Sequence, residues 1–147
     1  MKTIFLLISG FLLLMQGTAT ASDISTDILA KGSVSWDGGA VEYTSGKPEI
    51  TIQKIAISTS SEEVTLAVHC HTMPLAAYVV KGSVRVVKPS GENKLFQAGD
   101  AFIEVMNTWH KGVIIEDTEL IVFYAGNADV PLSVKKDGNS QLSGACK

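Results

Sequence analysis

From residue 49 to residue 125 the chain is a series of short β-branched and aromatic runs cut by glycine, proline and asparagine turns. No stretch within it carries a helical period. The runs fall at 64–71, 76–81, 83–88, 94–97, 101–105, 110–116 and 119–125. Pro89-Ser90-Gly91-Glu92-Asn93 and Ala98-Gly99-Asp100 are tight-turn sequences between them. Short strands of this kind bury their apolar faces only against one another, so the pattern predicts an all-β sandwich or barrel. Upstream, Ile50-Thr51-Ile52-Gln53 alternates strictly, and Ile55 and Ile57 then resume on the opposite parity. That change of phase predicts a β-bulge near Lys54.

The flanks read differently. Lys2, the apolar run 4–15 and Ala19-Thr20-Ala21 have the layout of a secretory signal peptide, 1–21, cut before Ser22. The run is short for a membrane span and polar residues follow it at once, so no stable span is expected after cleavage. The expected location is outside the cytoplasm, periplasmic or secreted. Lys2 is the only charged residue of that segment, so its removal takes 147 residues at net charge −3 to 126 at −4. That length makes one domain with a real core. A mildly acidic chain with no basic cluster is not a nucleic-acid binder. Residues 22–47 are polar and glycine-dotted, with Trp36, Val41 and Tyr43 as anchors, and read as an N-terminal arm. Residues 48–134 form the barrel, and 135–147 a polar C-terminal tail. Export permits a disulfide between the two cysteines, Cys70 and Cys146, which would pin that tail to the barrel. A buried free Cys70 fits the sequence equally well.

The chemistry centres on His69-Cys70-His71. Residues two apart on a strand share a face, so both imidazoles aim at one point while Cys70 faces away. The chain's only other histidine, His110, closes the set from another strand. Three neutral imidazoles converging on one point are a site for a divalent metal: Fe, Zn, Mn, Ni or Cu.

The spacing resembles that of the cupins. Their first motif runs His-x-His, then a glutamate, then a glycine, and His69, His71 and Gly82 stand at matching intervals. Their second motif opens on glycine and closes on histidine, as Gly99-Asp100 and His110 do here. The resemblance covers residues 48–124 and implies a single-domain double-stranded β-helix, the jelly-roll barrel, with a metal inside its mouth. It departs in three places. Leu75 occupies the glutamate position, and Val105 and Asn107 occupy the second motif's proline and glycine positions. Leucine cannot ligate a metal, so either three histidines suffice or Glu104 supplies the carboxylate. Phe102 and Glu104 share a strand face, and the resemblance implies that this face looks inward. Glu104 is then a candidate fourth ligand or an acid/base group. Met73, Tyr78, Phe102, Trp109 and Tyr124 are candidates to line a pocket, with Trp109 at its rim. Asn107 and Thr108 shape the turn, and Lys81 and Arg85 form a solvated face.

Three functions follow from this reading. The first is a mononuclear metal-dependent dioxygenase or related oxidoreductase acting on a small organic substrate, as some three-histidine cupins are. The second is a non-catalytic module that binds a metal or small ligand. The third is an inert barrel that forms a homodimer through the arm 22–47.

Overall fold

The computed structural model describes residues 24–136 and 144–147. The expected signal peptide, 1–21, and residues 137–143 of the tail lie outside the described residues. The ten strands among the described residues all pair antiparallel. They are β1 (Pro48–Ile57), β2 (Val64–Thr65), β3 (His69–Cys70), β4 (Leu75–Lys81), β5 (Ser83–Val87), β6 (Asn93–Gln97), β7 (Ala101–Ile103), β8 (Lys111–Ile114), β9 (Thr118–Asn127) and β10 (Val134–Lys135). One four-stranded sheet has the order β1-β9-β4-β7 and the other β2-β8-β5-β6. Successive strands therefore cross repeatedly from sheet to sheet, which is the jelly-roll arrangement. The short pair β10-β3 sits apart from both. No helix among the described residues is long and apolar enough to cross a membrane.

Alternation along each strand builds the core. Leu75, Ala77 and Val79 of β4 and Leu120, Val122 and Tyr124 of β9 point inward from the first sheet. Val84 and Val86 of β5 and Ile114 of β8 meet them from the second. Phe96 stacks on Phe102, with ring centroids 3.8 Å apart. Gly82 turns β4 into β5 at φ 74°. A Cβ there would collide with the Asp117 carbonyl and with Thr118, so both backbone freedom and space demand glycine.

The expected bulge near Lys54 is absent. β1 pairs with β9 in one continuous register from Pro48 opposite Asn127 to Ile57 opposite Thr118. The register shift lies instead in β4, between Val79 and Lys81. The phase change in β1 has another cause: Ile55 and Ile57 pack on the core, whereas Ile50 and Ile52 face out and are exposed. Apolar residues on both faces look like a bulge when one face is assumed polar.

The arm folds back at residues 33–41, where Val34 bridges Ala40 and the Trp36 amide donates to the Ile103 carbonyl at the free edge of β7. Asp37, largely buried, pairs with Lys88. At the other end, Cys70 and Cys146 are joined in a disulfide. The Lys147 amide donates to the Asn107 carbonyl at 2.9 Å, and its own carbonyl accepts from the Trp109 amide at 3.0 Å. The tail is thus anchored against the loop that leads to His110.

Candidate metal centre

Strand pairing brings the three imidazoles together. His69 and His110 face each other in an isolated antiparallel bridge, exchanging both main-chain hydrogen bonds at 2.9 Å. Residues paired this way project their side chains to the same side. His71 follows two residues on, and its carbonyl accepts from the Asn107 amide at 2.8 Å. Ring centroids lie 4.9 Å apart for His69–His71, 4.5 Å for His69–His110 and 5.2 Å for His71–His110. Asn107 adopts φ 54°, so an asparagine supplies the left-handed turn that glycine would otherwise provide. Cys70, between the two histidines, points away from them into its disulfide and is fully buried.

The ring orientations are fixed from behind. His69 Nδ1 donates to the Ala67 carbonyl at 2.9 Å, His71 Nδ1 to the Leu132 carbonyl at 2.7 Å and His110 Nδ1 to the Thr108 carbonyl at 2.9 Å. A carbonyl can only accept, so each Nδ1 carries the proton and each Nε2 presents a lone pair. The donor atoms of the three rings all lie within 4.8 Å of one another. His110 Nε2 is buried and has no partner among the described residues. Burial pushes all three imidazoles below their ordinary pKa, His71 to about 3, so they are uncharged at neutral pH. Backbone acceptors behind Nδ1, free Nε2 lone pairs and neutral rings are what a metal ion requires.

The imidazoles open into a cavity of about 100 Å³ between the sheets. Leu75, Phe102, Glu104 and Tyr124 line it, with further aliphatic side chains from both sheets. Leu75 thus reaches the space where the resemblance would place a carboxylate. The Tyr124 ring lies 5.9 Å from that of His71, and burial, then the nearby Glu104, push its hydroxyl pKa up.

Glu104 lies just beyond β7 and faces inward, buried. Its Oε1 accepts from Trp36 Nε1 at 3.0 Å and from the Val105 amide at 2.8 Å. Oε2 has no hydrogen-bond partner among the described residues. Burial raises the carboxyl pKa, opposed by the two N–H donors and by His69. Glu104 is not a member of the close group formed by the three histidines. Its link to Trp36 was not foreseen: a lone tryptophan in a polar arm gives no sign of its partner 68 residues away.

The other pocket expectations divide. Phe102 and Tyr124 line the cavity, while Met73 is buried in the core beside it. Tyr78 points outward and is exposed. Trp109 does not rim the cavity: its ring lies under the Lys136 ammonium, 5.9 Å away, in a depression beside Pro89 and Lys147. It stands next to His110 in sequence, and adjacent residues on an extended chain face opposite ways.

Two sheets in jelly-roll order carry a histidine pair and a third histidine at one mouth. The barrel is of the cupin type. No protein-family model matches the chain, and no curated protein matches it. Solved structures similar to it include KdgF from Halomonas sp., at 20% identity and TM-score 0.44, covering 60% of this chain and 80% of that one. An RmlC-like cupin from Shewanella frigidimarina has 20% identity and TM-score 0.44, covering 69% and 97%. A mutant of Bacillus subtilis oxalate decarboxylase OxdC has 15% identity and TM-score 0.45, and the chain spans 24% of its length.

Proposed function

We propose that the protein is an exported barrel that holds one divalent transition metal on His69, His71 and His110 and binds a small organic molecule beside it. The observation that carries this reading is the set of three Nε2 atoms left free, among the described residues, by three backbone-tied Nδ1 groups, one of them buried without a partner there. A bound ion would supply a Lewis acid with positions open to a chelating oxygen. Fe, Zn, Ni and Cu suit imidazole donors, Mn would need added oxygen ligands, and iron would direct the site to dioxygenase or related oxidoreductase chemistry.

The chain's own side chains set what else the site can do. A cavity of about 100 Å³ with an aliphatic and aromatic wall suits a small, largely apolar molecule. Among the described residues, Glu104 is the one acid on that wall. With Oε1 occupied by two N–H groups, Oε2 is the atom that would hold or release a proton. This carboxyl favours turnover over simple capture of a ligand.

Elemental analysis of the purified protein beside the His69→Ala/His71→Ala/His110→Ala variant tests the reading. Near-stoichiometric metal in the wild type, lost in the variant, is expected. Equal metal content in both would overturn it. Oxygen uptake by the iron-loaded protein with diketones, thiols and phenols then separates an enzyme from a binding module.

A further inference from the structure

Among the described residues, the polar side chains that line the cavity between the sheets are the three histidines, Glu104 and Tyr124. The metal centre and its acid account for all of them except Tyr124. This tyrosine is 5% exposed, yet its hydroxyl hydrogen-bonds no described residue. A buried phenol normally finds a partner, because leaving its polar atoms unpaired is costly. At neutral pH a phenol keeps its proton, so the free group is a hydrogen-bond donor.

Strand register decides where this donor stands. Tyr124 of β9 pairs directly with Leu75 of β4. Residues paired in this way project to the same side, and both are buried on the inner face. The phenol is therefore the cross-strand neighbour of the residue that leaves the site without a carboxylate. Its ring centroid lies 5.9 Å from that of His71. A glutamate at position 75 would bring its own oxygen to an ion. With leucine there, that oxygen has to come from the bound molecule.

We propose that Tyr124 positions the molecule bound at the histidines: its hydroxyl donates a hydrogen bond to a carboxylate or carbonyl oxygen of that molecule, and so selects oxygen ligands over thiols. This role rests on the metal reading of the three imidazoles. Glu104 cannot take the same part, because an ionised carboxyl only accepts hydrogen bonds. Sulfur accepts them weakly, so a thiol ligand gains little from the same hydroxyl.

Cobalt(II)-loaded protein tests this, with acetate and ethanethiol as probes and the visible absorption of the ion as the readout of binding. Tyr124→Phe removes one oxygen and no described hydrogen bond, so its fold and cobalt content should match the wild type. Acetate should bind the variant about tenfold more weakly, and ethanethiol within about twofold of the wild type. Three results would overturn the proposal: no acetate binding to the cobalt-loaded wild type, equal acetate affinity in both proteins, or equal weakening of both probes. The last would show that the ring only packs. A wild type that takes up no cobalt would overturn the reading of the histidines, and this inference with it.

Discussion

Breaking the Cys70–Cys146 cross-link should be the most costly single covalent change to this barrel. The two cysteines are separated by 76 positions. Releasing a loop of that length restores chain entropy to the unfolded state worth about 4.5 kcal/mol at 25 °C. Cys70 is fully buried, so Cys70→Ala would add a packing loss of its own, about 1 kcal/mol or more. The cleaner perturbation is reduction of the wild-type protein with dithiothreitol. Urea denaturation of the oxidised and reduced forms should differ by about 4.5 kcal/mol in unfolding free energy. A functional consequence should accompany it. The tail that Cys146 anchors lies against Asn107 and Trp109 through the Lys147 main chain, and Asn107 in turn bonds the His71 carbonyl. Releasing the tail loosens the loop that delivers His110, so the reduced protein should also give up metal faster to a chelator. A stability difference below about 1 kcal/mol would refute the reasoning, because it would mean that the tail constrains nothing in the unfolded chain.

Three other predictions concern the site. Burial depresses the folded pKa of His71 from 6.5 to about 3, so the unfolded chain binds a proton that the folded, metal-free protein refuses. The stability this group contributes is complete above pH 6.5 and is lost as pH falls toward 3, about 3 kcal/mol of it between pH 7 and pH 4. Urea titrations at the two values should show that loss, and His71→Leu should flatten it; an identical pH slope in the variant would contradict the assignment. Leu75→Glu should destabilise the metal-free protein by about 2–5 kcal/mol, because it buries an unpaired carboxyl. Adding metal should restore the melting temperature, and a loss indifferent to metal would show that position 75 does not reach the ion. Trp36→Phe removes a donor from a buried carboxyl and should cost about 1–3 kcal/mol; in Glu104→Gln the same substitution should cost less, and equal costs would show that the pair is not coupled.

The repeating unit of strand and turn made the barrel legible, because period-two burial and glycine turns are local properties. The histidine set was legible for the same reason: His69 and His71 share a face whatever the rest of the chain does. Other features depend on which strands become neighbours. The change of phase at Lys54 reflects an apolar outer face on β1, carried by the exposed Ile50 and Ile52, and not a shift of register. Adjacency to His110 suggests the pocket for Trp109, but on a strand adjacency is the argument for the opposite side. The Trp36–Glu104 bond spans arm and barrel, and no local pattern encodes it.

The absence of a carboxylate at position 75 changes the charge balance of the site. Three neutral imidazoles bring no negative charge to a divalent ion, and the described wall around them is apolar apart from the Tyr124 hydroxyl and Glu104. An uncompensated charge in such a cavity is costly, so the nearest acid should respond to it. Without metal, burial holds the Glu104 pKa above its usual range. A cation at the histidines would act in the opposite sense, favouring the ionised form and drawing the proton from Oε2. Metal binding should therefore release protons from Glu104 in a pH range where the three imidazoles, already neutral, have none to give. Calorimetric titration of the metal in two buffers of different ionisation enthalpy measures that release directly. A release present in the wild type and absent in Glu104→Gln would make Glu104 the counter-charge that Leu75 cannot be. Equal release in both would mean that the ion's charge is balanced from the solvent or from a bound anionic ligand, and Glu104 would lose its claim to the chemistry.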